Sequence, residues 1–216
     1  QFPHHECEIA QSTVANHVLP ARYWVHNNMI TINGKKMGKS YNNVIKLTEL
    51  FSGNHPILEK AYHPMTVRFF ILQTQYRSTL DFGNEALQGA EKGLKRLWEA
   101  YEWISKYEAA SATYEAKDKS LNEKVLQLIA EFDEFMNDDL NTAKVLASMF
   151  ELVPVINGLK DKHIAADALS GDTIVLMQQQ MKLYIEDIMG LRNVTGEDNN
   201  KLKEVMQILI DLRKDA

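Results

Sequence analysis

From residue 84 onward the apolar positions recur every three and four residues, the spacing of amphipathic helices. Leu87, Ala90, Leu94, Leu97, Tyr101 and Ile104 form one stripe. Val125, Leu128, Ile129, Phe132 and Met136 form a second, opened by Ser120-x-x-Glu123, which reads as a capping box. Asn141 predicts the cap of a third helix with Val145, Leu146, Met149 and Val153 inside. Pro154 predicts a kink there, because it removes a backbone donor and crowds Phe150. A fourth helix is expected from Asp172, with Val175, Met181, Ile185 and Ile188 inward, ending at Gly190. A fifth is expected from about Asp198, with Leu202, Val205, Leu209 and Leu212 inward. Short polar connections between such helices predict an antiparallel bundle.

Residues before 84 are patterned differently. Glu6 to about His17 has no helix breaker and predicts a short helix. Tyr23–Val25 and Met29–Ile32 are aromatic and β-branched, which favours strands. Asn33-Gly34 is a two-residue hairpin signal, since both residues tolerate φ > 0, and Lys35-Lys36-Met37 would begin the return side. A short helix is expected over about Val44–Phe51. Pro64 suits the first position of another, Met65–Tyr76, with Val67, Phe70, Ile71 and Thr74 on one side. Residues 77–83 read as a connector, and Tyr23 and Trp24 as side chains buried in a strand by default. The whole is a mainly α chain.

Composition changes this picture in two places. The net charge of −5 divides unevenly: residues 1–83 carry 8 Lys/Arg against 5 Asp/Glu, and residues 84–216 carry 16 against 24. Six of the seven histidines lie in the first part, and no acid occurs from Ala10 to Thr48. Chemistry on phosphate or metal is therefore expected early in the chain, and a solvated scaffold later. The lone cysteine, Cys7, excludes an internal disulfide and predicts a reducing, cytoplasmic setting. No apolar run suggests a membrane span, and the N-terminus lacks the features of a secretory signal. A start at Gln1 predicts a piece of a longer protein.

Three clusters carry candidate chemistry. Lys35-Lys36-Met37-Gly38-Lys39-Ser40 follows the hairpin signal, and ammonium groups on flexible stems suit a loop that closes on polyphosphate. A solvated hairpin tip is the alternative. In His4-His5-Glu6-Cys7-Glu8, a helix would place His4 and Glu8 on one face, half of a tetrahedral metal site. A polar helix start is the alternative there. Asp138-Asp139-Leu140-Asn141-Thr142 reads as capping and turn chemistry, since Asp and Asn satisfy orphan N–H groups.

Taken together these segments resemble the cysteinyl-tRNA synthetases, of the class I aminoacyl-tRNA synthetases. Phe2-Pro3-His4-His5-Glu6-Cys7-Glu8-Ile9-Ala10-Gln11-Ser12 is similar to that family's Phe-Pro-His-His-Glu-Asn-Glu-Ile-Ala-Gln-Ser, and Tyr23-Trp24-Val25-His26-Asn27 to its Tyr-Trp-Met-His-Asn. Lys36-Met37-Gly38-Lys39-Ser40 resembles Lys-Met-Ser-Lys-Ser. Tyr76-Arg77-Ser78-x-Leu80-Asp81-Phe82 and the 138–142 segment resemble the approach to the helical domain and a motif within it.

The resemblance implies the closing portion of a Rossmann-like catalytic domain over 1–50, a connecting helical segment over 51–83 and a helical bundle over 84–216. It implies an ATP-dependent ligase that activates cysteine as the adenylate and passes it to tRNA, acting as a monomer. Lys39 would contact ATP and Lys36 would assist closure. His4 and Glu8 match two of four zinc ligands, the other two being cysteines absent from this sequence. A zinc-bound thiolate would separate cysteine from serine without editing, because a hydroxyl is a poor ligand for zinc. Gly38 stands where the family has Ser and Cys7 where it has Asn, and the His-x-Gly-His nucleotide motif does not occur. The 216 residues alone are expected to be inactive. Two other functions fit the pattern: a cysteine ligase of mycothiol synthesis, and a non-catalytic helical module binding tRNA or protein. The acidic balance of residues 84–216 argues against broad phosphate contact by the helices.

Overall fold

The computed structural model describes residues 2–108 and 114–193, and in it six of seven α-helices contribute to one continuous apolar core running from Ile32 to Leu191. The expected fifth bundle helix, from Asp198, lies outside the described residues. Helix α1, His4–Asn16, comes first and buries none of its side chains. It ends at His17 in the left-handed region (φ 56).

The expected hairpin forms. Strand β1 is Ile30–Ile32 and β2 is Lys35–Lys36, paired antiparallel with Thr31 opposite Lys36 and Ile32 opposite Lys35. The turn takes Asn33 at φ 50 and Gly34 at φ 76, the doubly left-handed geometry that made Asn-Gly informative. The expected strand at 23–25 does not form. That segment is unpaired, Tyr23 is 88% exposed, and Asn28 N–H donates to the Tyr76 carbonyl at 2.8 Å. Aromatic, β-branched composition favours a pleated half-buried surface, and here no neighbouring strand supplies one.

Residues 77–83 are more than a connector. Leu80–Phe82 is strand β3, parallel to β1 with Thr31 opposite Asp81, giving the order β2-β1-β3. A three-residue parallel partner 50 positions away leaves no local sequence signal. Helix α2 (Leu47–Ser52) is shorter than expected, and Glu49 Oε2 accepts from the Lys46 N–H at its start. Helix α3, Pro64–Leu72, does begin at the proline, but its buried face is Thr66, Val67, Phe69 and Phe70. Ile71 is 49% exposed and Thr74 lies beyond the helix end.

The bundle follows the sequence stripes closely. Helix α4 (Asn84–Ser105) buries all six of its expected positions, and α5 (Lys119–Asn137) buries Val125, Leu128, Ile129 and Phe132. The cap of α5 is Asp118, not the Ser120 box: its carboxylate accepts from Leu121 N–H at 3.0 Å. Tertiary bonds move the helix start two residues earlier, as Lys117 and Asp118 N–H groups donate to the carbonyls of Asp167 and Ala168. Asn141 caps α6 (Thr142–Lys160) as expected, and the helix runs on through Pro154. By length and apolarity alone α6 could cross a membrane, but eight of its residues are apolar core positions of this bundle, which accounts for the apolarity. Helix α7, Gly171–Lys182, is capped by Ser170 and leads into a π-helical stretch, Leu183–Ile188. That wider turn rotates the face. Ile174, Met177, Met181 and Ile185 are buried, whereas Val175 and Ile188, expected inward, are 37% and 42% exposed.

Candidate functional site

The lysine loop is clamped at its far end by Asn43, which is buried. Its Oδ1 accepts from Gly38 N–H at 2.9 Å, and its Nδ2 donates to the Lys36 carbonyl at 3.1 Å. One amide thus stitches both sides of Met37. A 3₁₀ turn, Lys39–Tyr41, follows, with Tyr41 N–H donating to the Gly38 carbonyl. Gly38 itself is extended (φ −174), and a Cβ there would come no nearer than 3.4 Å to Tyr41. The loop backbone therefore accepts a serine at this position; the glycine is not required by conformation.

Lys35, Lys36 and Lys39 are exposed, and none of them forms an ion pair among the described residues. Exposed ammonium groups on a pinned backbone keep their charge available to a ligand while the loop holds its shape. Asn43 carries no local signal in the sequence beyond its residue type.

The near end of the loop is tied to β3. Asp81 Oδ1 accepts from Thr31 Oγ1 at 2.6 Å and from Gly34 N–H at 2.8 Å. These bonds, Thr31 first, hold its carboxyl below the usual carboxylate range. Asn33 N–H donates to the Phe82 carbonyl, and Gly83 leaves room for the turn, since a Cβ on it would stand 3.0 Å from Asn33 Oδ1.

Helix α1 carries the two expected metal donors, His4 and Glu8, on exposed positions one turn apart. Glu8 Oε2 lies 3.0 Å from His5 Nδ1, so the neighbouring histidine holds this carboxylate. His5 also packs edge-on against Trp24 and His26, each with ring centroids 5.0 Å away, and Trp24 stacks on His26 at 6.4 Å. These three rings join α1 to the extended segment before the hairpin, a role for Trp24 that strand burial did not anticipate. Among the described residues no three His, Cys, Asp or Glu side chains converge. An imidazole and a carboxylate at this spacing fit zinc as half of a tetrahedral donor set and no more. Cys7 is a free, exposed thiol.

The acidic 138–142 segment reaches the same region from the bundle side. Asp139 sits in the left-handed region (φ 61), as does Leu140 (φ 54). Asp139 Oδ1 accepts from Tyr76 Oη at 2.6 Å, and Arg77 Nε lies 2.7 Å from its Oδ2. These contacts, the Tyr76 bond foremost, lower the Asp139 carboxyl below its ordinary value. Thr142 Oγ1 donates to the Leu72 carbonyl at 2.8 Å. Asn141 does the capping that the sequence assigned to this stretch, while Asp139 joins the bundle to residues 75–77. A cleft of about 330 Å³ opens beside this joint, lined by residues 24–28, Tyr76 and Arg77.

Comparison with known proteins places the two parts separately. Residues 1–92 match the profile of the class I (C) tRNA synthetase catalytic domain, and residues 131–193 match the DALR domain. Over 215 residues the chain is 45% identical to a cysteine–tRNA ligase of Cytophaga hutchinsonii, and over 218 residues 46% identical to one of Bacteroides thetaiotaomicron. A cysteine–tRNA ligase of Chlorobaculum tepidum is 35% identical over 224 residues. Each alignment takes in 100% of this chain and 42% of the relative, so the chain spans less than half the length of the curated relatives it matches.

Proposed function

Through residues 1–92 and 131–193 the chain belongs to the class I cysteinyl-tRNA synthetases, and from that premise we propose that the full-length protein carrying it activates cysteine with ATP and transfers the cysteinyl group to tRNA. The observation that carries the reading is the clamped lysine loop, three ammonium groups with no ion pair among the described residues, held between Asp81 and Asn43 within the catalytic-domain match. Lys39 contacts the ATP phosphates and Lys36 assists closure of the loop over them. Both act by meeting negative charge as pyrophosphate departs. The pinned backbone means this charge is aimed before substrate arrives, which lowers reorganisation during the step.

His4 and Glu8 contribute two donors to a zinc site whose remaining ligands come from elsewhere in the protein. Zinc, when bound, supplies a soft acceptor that takes a thiolate in preference to a hydroxyl. His5 holds only Oε2 of Glu8, so the other carboxylate oxygen remains for that duty. The Asp139 joint supports the bundle as a scaffold tied to the catalytic part through Tyr76 and Arg77. The domain limits we propose are 1–50, 51–83 and 84–216. A cytoplasmic monomer is the proposed form. The mycothiol-ligase and pure binding-module readings find no support among the relatives, which are cysteine–tRNA ligases by name.

Cysteine-dependent ATP–pyrophosphate exchange by the full-length protein tests the assignment. Lys39→Ala should cut the activation rate and leave cysteine affinity nearly intact; equal loss in both counts against the role. His4→Ala should lower the zinc retained after dialysis and raise serine misactivation, and unchanged metal content dismisses that ligand. The 216 residues alone, with two zinc donors of four, should give no exchange.

A further inference from the structure

We propose that Asp81 is a positioning residue for the lysine loop: its carboxylate ties the Asn33-Gly34 turn to β3 and so fixes the arc from which Lys36 and Lys39 reach. The inference rests on the reading of those lysines as phosphate-contacting groups.

The hairpin is too small to hold its own tip. Its ladder consists of two residue pairs, Thr31 with Lys36 and Ile32 with Lys35, and a two-stranded ribbon of that size is marginal in water. Asn43 secures only the far side of the loop. On the near side, the contacts that the turn makes go to β3 and the start of α4. Asp81 lies opposite Thr31 in the parallel pair, so one carboxylate oxygen reaches both the strand residue before the turn and the turn's second N–H. Hydrogen bonds to an ionised acceptor are the stronger kind, and two meet on this single oxygen. The Phe82 carbonyl takes Asn33 N–H, and the missing Cβ of Gly83 admits the Asn33 side chain. With both ends fixed, Lys35 to Lys39 form a short bridge that closes between two anchors and not from a free tip. Asp81 forms no ion pair with a described lysine, so its charge is absorbed by the turn and does not quench the loop.

Three variants of the full-length protein test this: Asp81→Ala, Asp81→Asn and Thr31→Val. Asp81→Ala should lower kcat of cysteine-dependent ATP–pyrophosphate exchange by about ten- to a hundredfold, the scale of a small misplacement of catalytic groups. KM for cysteine should stay within about twofold, as expected when only transition-state contacts are lost. Asp81→Asn should recover most of the rate, since the amide oxygen still accepts both bonds. In a Lys39→Ala background Asp81→Ala should cost severalfold less than it does in the wild type, because the part of its effect that runs through Lys39 is already lost. Without reference to activity, Asp81→Ala should speed proteolytic cleavage between Gly34 and Gly38 while leaving cleavage in the bundle unchanged. Should Asp81→Ala fail to fold, Thr31→Val removes one of the two bonds at nearly constant shape and carries the same comparison.

Wild-type exchange by Asp81→Ala where Lys39→Ala is severely impaired overturns this inference alone. So does a loss that multiplies with Lys39→Ala. Wild-type exchange by Lys39→Ala removes the functional reading, and this inference with it.

Discussion

Helix α4 buries seven of its side chains and α1 buries none, though both are unbroken helices in one chain. The bundle is held by apolar area. Leu87, Leu97, Ile104, Phe132 and Ile156 are fully buried, and neighbouring helices share them. The lysine loop and α1 are held by individual contacts: Asn43 on the loop and Asp81 on the turn by hydrogen bonds, and His5 on Trp24 by an edge-on ring contact. Burial is non-directional and tolerant of small shifts, whereas a hydrogen bond fixes one atom against another. The contrast follows the division of labour proposed above, with a self-supporting scaffold and a loop whose backbone is aimed.

The contrast predicts where substitutions will be costly and in which quantity. Phe132→Ala should be the most damaging, at about 3–5 kcal/mol of stability, because the ring is fully buried and packs on Tyr184. Urea unfolding of the variant measures it, and a loss near zero would deny the bundle its role as the scaffold. Lys39→Ala should leave unfolding unchanged and slow activation by about a hundredfold, comparable to losing one preorganised electrostatic contact. Asn43→Ala should cost about 1–3 kcal/mol, since Gly38 N–H and the Lys36 carbonyl lose their partner. Faster acylation of Lys36 and Lys39 in that variant would report the loosened loop.

The Asp139 joint gives a pH test. Its carboxyl is lowered in the folded state, so its stabilising effect is complete above the ordinary carboxylate value of about 3.9 and fades as pH falls through the depressed one. Asp139→Asn keeps a residue type that tolerates φ 61 while removing the charge. The gap in thermal stability between wild type and this variant should therefore narrow on acidification below about pH 4. A constant gap would mean that Tyr76 and Arg77 do not read the charge. The smallest effect is expected at Val14→Ala on α1, where the side chain is 76% exposed, with a change within about 0.5 kcal/mol.

Much of this molecule was legible from residue order alone. The stripes of α4 and α5, the Asn141 cap, the Asn33-Gly34 turn and the start of α3 at Pro64 all depend on residues close in sequence, and local spacing reports local geometry. The lysine loop and the His4–Glu8 pair were likewise visible as residue types at a given spacing. What escaped was long-range. Strand β3 exists because β1 lies beside it, and the Asp118 cap because residues 167–168 hold the preceding chain. The same is true of Asp81, which as one acid among ordinary connector residues had no local mark until Thr31 and Gly34 were brought to it.

Sequence by itself determined the helical periodicity, the charge division and the chemical types available near the N-terminus, because these are properties of a residue and its near neighbours. Tertiary structure alone decided which carboxylate grips the hairpin turn, which amide pins the loop, and that Asp139 joins the bundle to Tyr76 and Arg77. The Asp81 and Asp139 contacts join groups 47 and 63 positions apart, and the Asn43 amide reaches back five and seven positions across a non-helical loop, so no local periodicity marks any of them and only the folded chain brings the partners within hydrogen-bonding distance.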